Sequence, residues 1–361
     1  MKKISMLLIC LLLTACSKPV SNNSPLPSDT VKSEEKRVSF YGVGDNLIHN
    51  CVYWQADQNV PGPDFDFKPM YQLVAEDIKN ADISYINQET ILGGTELTLS
   101  SYPLFNSPQE VGRDMIELGF DVFSHATNHS FDKGEKGIEN TYNFYNDKDV
   151  VFTGIHKKGE DNIKFSEKNG IKIAYLNYTY ITNGLSLPGS SNYYVSTADT
   201  QKMVDDIKRA KKQSDFVVMF VHWGEENHTT PSEQQKNDAQ LFAQAGCDVI
   251  IGTHPHCIQP VEMIDNTLVV YSLGNFISAQ KTHSNLIGGT IKFDLVIKDG
   301  NKKIENIKFE HVINQYETGY SNIRIIPFDK YTPELAKQHG AGISYEYIEN
   351  LINKTKELSL Y

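Results

Sequence analysis

Short apolar runs alternate along the chain with segments in which apolar residues recur at helical spacing. Such runs are typical of buried strands, and strands that alternate with helices predict an α/β domain. We predict strands at residues 38–43, 82–86, 121–124, 150–153, 171–178, 216–222 and 248–253. We predict helices at residues 70–80, 108–118, 137–146, 200–213 and 232–245.

The last third of the chain has a different pattern. Strand-like runs at residues 267–272, 290–297 and 303–312 follow one another without a helix between them. Parallel neighbours need a long crossover connection, so we expect these strands to pair antiparallel. A closing helix is predicted at residues 343–358.

Polar motifs stand at the ends of five of the apolar runs. They are Asp45, Asn87 with Glu89, Asn128-His129, His222-Trp223-Gly224, and Gly252-Thr253-His254-Pro255-His256. Open α/β sheets bind ligands at the carboxyl ends of their strands, where the loops converge. The shared placement therefore predicts that the five motifs form one site.

The side chains in these motifs are of the kinds that bind transition metals. Carboxylate and amide oxygens together with imidazole nitrogens suit Zn, Mn or Fe. Paired metals need a bridging carboxylate, for which Asp45 and Glu89 are candidates, and a metal-bound water would be the nucleophile. His129 is the first candidate to protonate a leaving group. The predicted ligands of one or two divalent ions are Asp45, Glu89, Asn128, His222, His254 and His256.

Each motif also has a structural interpretation. Asp45 and Asn128 suit turns, and Asp132 suits a helix cap. Trp223 suits a core position as well as a pocket wall, and His49 suits a structural role as much as a place in the site. The joint placement of the motifs, rather than any one of them, favours the functional interpretation.

The N-terminus is typical of an exported protein. Two lysines precede an apolar stretch at residues 4–13, which is too short to span a membrane. The stretch ends in Leu13-Thr14-Ala15-Cys16, which resembles the lipobox of bacterial lipoproteins. The resemblance implies a signal peptide at residues 1–15, lipidation of Cys16, and a lipid-anchored protein on the extracytoplasmic face of the cell membrane.

The composition restricts the domain organisation, the partners and the disulfides that the rest of the chain can have. Residues 16–36 are rich in Ser, Pro, Asn and charge and predict a flexible tether, followed by one domain at residues 37–361. The formal net charge of −11 disfavours nucleic acid as a partner. An anionic polymer would need bound cations or a local basic patch. Beyond the export segment three cysteines remain, and an odd number argues against a disulfide framework.

Six motifs, taken in order, resemble those of the bacterial CapA family, which is named for poly-γ-glutamate capsule synthesis. They are Gly44-Asp45, Asn87-Gln88-Glu89, Ala126-Thr127-Asn128-His129 with Asp132 and Gly134, His222-Trp223-Gly224 with Glu226, Gly252-Thr253-His254-Pro255-His256 with Gln259, Pro260 and Glu262, and Tyr271-Ser272-Leu273-Gly274-Asn275-Phe276. The resemblance implies a layered α/β/β/α sandwich similar to the calcineurin-like metallophosphoesterases. Departures from the usual motifs at Gln88, Thr127 and Asn227 remove no predicted ligand and leave the substrate preference open.

The resemblance implies a lipoprotein that takes part in making, exporting or anchoring a poly-γ-glutamate-type capsule polymer. In this interpretation a metal-dependent hydrolase site cleaves a phosphoester or a γ-glutamyl amide. His129 and His222 would be catalytic, and Trp223, Glu226 and Glu262 would contact substrate. The partners would be the anionic polymer or its precursor, the membrane, and subunits of a membrane synthase. The alternatives are a non-catalytic polymer-binding or scaffold subunit of such a synthase and a metal-capturing lipoprotein.

Overall fold

The structure is a computed structural model that describes residues 35–357. The predicted signal peptide, Cys16 and nearly all of the predicted tether lie outside the described residues. The strands are β1 Lys36–Asn46, β2 Ile83–Gln88, β3 Val122–Ser124, β4 Val151–Thr153, β5 Ile155–Lys157, β6 Lys164–Lys168, β7 Ile171–Thr179, β8 Tyr193–Val195, β9 Phe216–His222, β10 Val249–Thr253, β11 Val261–Ile264, β12 Thr267–Val270, β13 Asn275–Ile277, β14 Ile287–Lys298, β15 Asn301–Glu317 and β16 Ser321–Pro327. The α-helices are α1 Asn50–Gln58, α2 Lys68–Tyr71, α3 Ala75–Asn80, α4 Glu110–Leu118, α5 Gly134–Asn146, α6 Thr200–Lys211, α7 Glu233–Ala245, α8 Pro333–Gln338 and α9 Tyr345–Glu357.

Two sheets form the centre of the described chain. The first has the strand order β16-β15-β14-β1-β2-β3-β4, with β13 also paired to the end of β1. The second has the order β11-β12-β10-β9-β7-β6. Strands β1 to β4 run parallel, as do β7, β9, β10 and β12. The late strands β14, β15 and β16 pair antiparallel, as expected. The expectation is wrong for the run at residues 267–272, because β11 reverses the chain and β12 therefore pairs parallel with β10 as well as antiparallel with β11.

The sheets pack face to face around an apolar core. The rings of Tyr85 on β2 and Phe220 on β9 stack with centroids 3.8 Å apart across this core. Side chains alternate along β1, so Phe40 packs into this inner core while Tyr41 packs into the outer cluster with the helices. On the outer face of the second sheet, α6 and α7 pack against β7 and β9. The layers are therefore helix, sheet, sheet and helix, as the sequence resemblance implied.

Local sequence explains where the main helices begin and end. Ser232 caps α7 in a reciprocal capping box with Gln235, and Gly246 ends the helix with a φ of 101°. Asp199 accepts a hydrogen bond from the Lys202 amide at the start of α6. Gly119, with a φ of 108°, ends α4.

Two predictions for the first sheet are corrected by tertiary contacts. The helix predicted at residues 70–80 is broken into α2 and α3, and the Tyr71 hydroxyl between them donates to Asn46 Oδ1 at 2.6 Å. Strand β1 continues to Asn46 rather than ending before Asp45, because β2 and β13 pair with it on both sides there. Within residues 35–357, no helix has both the length and the apolar character needed to cross a membrane.

Strand β1 lies so close to the turn before β13 that there is no room for a side chain at Gly44. A Cβ there would lie 1.9 Å from the Gly274 carbonyl oxygen, which accepts the Asp45 amide at 2.9 Å. We expect Gly44→Ala to lower the free energy of unfolding by about 3 kcal/mol because the two strands must separate. Gly189→Ala is the control, since a Cβ at Gly189 meets nothing within 4 Å. Urea unfolding measures both, and equal stability of the two variants would contradict the close approach.

Candidate metal centre and active site

The five motifs predicted to converge do converge, at the carboxyl ends of the parallel strands of both sheets. Asp45 lies opposite Asn87 on β2 and opposite Asn275 on β13. His222 ends β9 and lies beside Thr253, the last residue of β10. The face-to-face packing of the sheets brings Asp45 into contact with the loop after β10.

The first group of side chains centres on Asp45. Its Oδ1 accepts a hydrogen bond from Asn87 Nδ2 at 2.8 Å, and its Oδ2 lies 3.0 Å from His256 Nδ1. The other ring nitrogen of His256, Nε2, lies 3.6 Å from Glu89 Oε1. Asp45, Glu89 and His256 are buried and each offers one ligand atom within 4.8 Å of the others. This spacing is suited to a metal ion held by two carboxylates and an imidazole.

The second group centres on His222. Its Nε2 lies 3.0 Å from Asn128 Oδ1 and 3.2 Å from His254 Nδ1. Its Nδ1 lies 3.0 Å from the Thr253 hydroxyl, which orients the ring. An amide oxygen and two imidazole nitrogens therefore meet at one point, as the ligands of a second ion would. Because both ring nitrogens of His222 face protein atoms, its geometry fits a ligand better than a separate catalytic residue.

His129, the predicted proton donor, is placed differently from the predicted ligands. Its Nδ1 lies 2.7 Å from Asp132 Oδ2, which also accepts the Phe105 amide at 2.6 Å. The Phe105 ring packs edge-on against His129 with centroids 4.6 Å apart. These contacts hold Nδ1 on the carboxylate and leave Nε2 for proton transfer, which fits the predicted role of His129.

Burial and mutual charge shift the pKa values within the site. Burial, together with the Asp45 charge, raises the pKa of Glu89 well above its usual value. Burial also lowers the pKa of His222, and it lowers that of His254 to about 3. At His256 the effect of burial is outweighed by Glu89 and Asp45, which raise the pKa to about 9. The neutral imidazoles are suited to donate lone pairs to a metal.

The carboxylate of Glu89 provides the test of whether a metal fits this site. Both of its oxygens are buried, and neither has a hydrogen-bond partner among the described residues. A buried carboxyl group without hydrogen-bond partners costs free energy in either protonation state, and more when it is ionised. A divalent cation bound by Glu89 and its neighbours removes this cost, so the donor set fits a divalent metal.

Backbone strain holds the two histidines of the loop after β10. His254 has a φ of 96° and His256 a φ of 60°, a region that residues with a Cβ adopt at a cost of about 1–3 kcal/mol. Asn227 donates its amide to the Pro255 carbonyl at 2.8 Å, which helps to fix the loop. The strain is concentrated on residues that present ligand nitrogens.

The three residues predicted to contact substrate occupy different environments. Glu226 is exposed, yet one carboxylate oxygen lies within 4.8 Å of ring nitrogens of His254 and His256. Trp223 is buried, donates to the Tyr271 carbonyl at 2.9 Å, and lines a cavity together with Tyr180 and Gln235, a cavity whose lining includes none of the predicted ligands. Glu262 lies on β11 and accepts a hydrogen bond from the Tyr271 hydroxyl at 2.8 Å. For Trp223 the structure supports the core interpretation, and substrate contact by Trp223, Glu226 and Glu262 stays a prediction.

Asn275 belongs to the site but was not assigned a role from the sequence. The Asn275 Oδ1 lies 3.0 Å from His256 Nδ1, while its Nδ2 donates to Ser278 Oγ at 2.9 Å. Asn275 lies in the last of the six sequence motifs, which is the signal that could have identified it. His49 Nδ1 accepts the Ala279 amide at 3.1 Å, which gives His49 a structural role.

The sequence of the chain is similar to sequences of known proteins. The sequence profile of a family described as "Bacterial capsule synthesis protein PGA_cap" matches residues 39–280. "PGA biosynthesis protein CapA" of Bacillus subtilis (strain 168) is 32% identical over 167 residues, which cover 45% of this chain and 44% of that protein. "Capsule biosynthesis protein CapA" of Bacillus anthracis is 32% identical over 183 residues, which cover 48% of this chain and 44% of that protein. The chain thus spans less than half the length of these relatives.

A solved structure shows the same fold. The crystal structure of a novel phosphatase from Mycoplasma pneumoniae matches with a TM-score of 0.50 and 14% identity. The match covers 78% of this chain and 95% of that one. At this identity the likeness is one of fold, and it confirms the layered phosphoesterase-like sandwich that the sequence resemblance implied.

The strained backbone at His254 predicts an order of stability among variants without the imidazole. We expect His254→Gly to be more stable than His254→Ala by about 1 kcal/mol, because only glycine adopts a φ of 96° without a steric cost. Urea unfolding in the presence of a chelator measures this difference without any contribution from metal. An alanine variant as stable as the glycine variant would show that the loop relaxes to another conformation.

Proposed function

Because the chain belongs to the bacterial capsule synthesis family whose profile matches residues 39–280, we propose that it is a metal-dependent hydrolase anchored to the cell membrane. Its substrate is a phosphoester or γ-glutamyl amide in a capsule polymer of the poly-γ-glutamate type, or in a precursor of that polymer. The two Bacillus relatives named for capsule or PGA biosynthesis support the choice of polymer. Subunits of a membrane synthase are the proposed protein partners.

One observation carries the hydrolase proposal. The buried Glu89 carboxylate, without a hydrogen-bond partner among the described residues, faces His256 with Asp45 on the other side of the same ring. A buried carboxyl group without hydrogen-bond partners only lowers the stability of a fold held together by packing. A cation site offsets its cost, and the N and O donors suit Mn, Zn or Fe.

The chain's own residues then have separable roles. Asp45, Glu89 and His256 would hold one ion, and Asn128, His222 and His254 a second. Bound metal would supply an acidic water as the nucleophile and stabilise negative charge on the reacting group. Asp132 keeps His129 Nδ1 engaged at 2.7 Å, so His129 Nε2 delivers the proton to the leaving oxygen or nitrogen.

The proposal for the anchor depends on the N-terminal sequence. Residues 4–13 form the apolar stretch and Cys16 stands at the lipobox position. Strand β1 begins at Lys36, close to the predicted end of the tether. Lipidation of Cys16 would place the domain on the extracytoplasmic face of the membrane.

Removing the proton donor should separate catalysis from metal binding. We expect His129→Gln to lower kcat by about 100-fold or more while bound metal stays at the wild-type level, because His129 contacts Asp132 rather than the ligand groups. The double variant His254→Ala/His256→Ala should lose both metal and activity. Elemental analysis and turnover of phosphoesters and γ-glutamyl peptides are the measurements.

His283→Gln is the control for loss of a histidine, since His283 is exposed and its ring contacts Tyr347. Metal-loaded wild-type protein that cleaves neither class of bond would contradict the hydrolase proposal. Such a result, with a capsule defect in the double variant, would favour the non-catalytic polymer-binding subunit.

The lipid anchor predicts a change of cellular fraction. We expect Cys16→Ser to move the protein from the membrane fraction to the soluble fraction, because the acylated sulfur is lost while the described domain is unchanged. Fractionation with detection of the full chain measures this, and Cys51→Ser serves as the matched control. A Cys16→Ser protein that stays in the membrane fraction would contradict lipid anchoring at this residue.

A further inference from the structure

Glu226 is the exposed carboxylate of the site. Asp45 and Glu89 are buried, whereas Glu226 lies in the turn that follows His222 and is open to solvent. One of its oxygens nevertheless lies within 4.8 Å of ring nitrogens of His254 and His256. The side chain therefore stands on the solvent side of the predicted ligands, where a substrate must approach.

The turn that carries Glu226 is held in place by specific contacts. The Asn227 amide donates to the Pro255 carbonyl at 2.8 Å, and the Asn227 side chain accepts from Asn285 Nδ2 at 2.7 Å. Gly224 has a φ of 86°, and a Cβ at that position would lie 2.6 Å from the side chain of Gln235. The turn is thus fixed relative to the loop that presents His254 and His256.

The arginines of the chain do not offset the charge of Glu226. Arginine is the side chain best matched to phosphate, because its planar fork donates two parallel hydrogen bonds. All four arginines of the chain form ion pairs with carboxylates outside the site; they are Arg37, Arg113, Arg209 and Arg324. The approach to the ligands therefore carries a carboxylate without an arginine to balance it.

We propose that Glu226 determines the class of substrate. The Glu226 carboxylate excludes phosphate dianions and favours an uncharged amide group, whose N–H donates a hydrogen bond to Glu226. The inference rests on the proposed hydrolase function and chooses between the two bonds named there. A phosphate at the ligands would bring its charge close to the Glu226 carboxylate, and like charges repel. The amide group brings no charge to the reacting atoms, although the polymer around it is anionic, and it supplies a hydrogen-bond donor.

Binding of inorganic phosphate to the metal-loaded full-length protein tests the proposal without requiring turnover. We expect Glu226→Gln to bind phosphate about tenfold more tightly than the wild type, which corresponds to about 1.4 kcal/mol. Isothermal titration calorimetry gives the dissociation constants, and elemental analysis confirms that wild type and variant carry the same metal.

Glu225→Gln is the matched control. It changes the net charge by the same amount one residue earlier, but the Glu225 carboxylate lies 3.6 Å from His228 Nδ1 and outside the ligand groups. We expect its phosphate affinity to stay within twofold of the wild type. An equal gain in both variants would mean that only the general charge of the surface matters and would overturn the proposal.

Two further results for Glu226→Gln would also overturn the proposal. Unchanged phosphate affinity in Glu226→Gln, or loss of metal from that variant, would overturn the proposal, the latter because Glu226 would then be a metal ligand. Where the wild type turns over both classes of bond, Glu226→Gln should raise the ratio of phosphoester to amide kcat/KM. If neither bond is cleaved, the hydrolase proposal fails while the phosphate measurement still tests the role of Glu226.

Discussion

The contact between Asp45 and His256 depends on how the two sheets pack, and the rest of the site depends on that contact. Asp45 belongs to the first sheet and His256 to the loop after a strand of the second, and their side chains lie 3.0 Å apart. Packing the inner faces around Tyr85 and Phe220 puts the carboxyl ends of both sets of parallel strands at one edge. A shift of either sheet along its strands would separate the carboxylates from the imidazoles.

The same packing forces charged groups into the protein interior, which is costly unless they are paired. Asp45 is satisfied by Asn87 and His256, whereas Glu89 lacks a hydrogen-bond partner among the described residues. The fold also accepts positive φ angles at His254 and His256. The positions that present ligand atoms thus lower the stability of the fold. Such a concentration of strain is typical of functional sites.

Family and fold leave the chemistry of the bond open, because one fold supports many reactions. The fixed turn with Glu226 and the pairing of all four arginines with carboxylates outside the site provide more specific information. They connect the electrostatics of the solvent-facing side of the site with the choice between a reacting group that is charged and one that is uncharged.

The sequence by itself determined the alternating elements, the antiparallel pairing of β14 with β15 and the polar motifs at the ends of the strands. These follow from local periodicity, because a buried strand and the polar residue after it are neighbours in the chain. It also determined the chemistry of the ligands, since residue type fixes the donor atoms. It did not determine the break between α2 and α3, where the Tyr71 hydroxyl at the end of α2 donates to Asn46 on β1.

Only the tertiary structure decided which of these residues face each other. The pairing of His129 with Asp132, the contact of Asn275 with His256 and the burial of Trp223 each depend on more than strand periodicity. The position of Glu226 near His254 and His256 depends on a hydrogen bond between two loops that lie far apart in the chain. Such contacts are set by the packing of whole layers, which no local pattern of apolar and polar residues encodes.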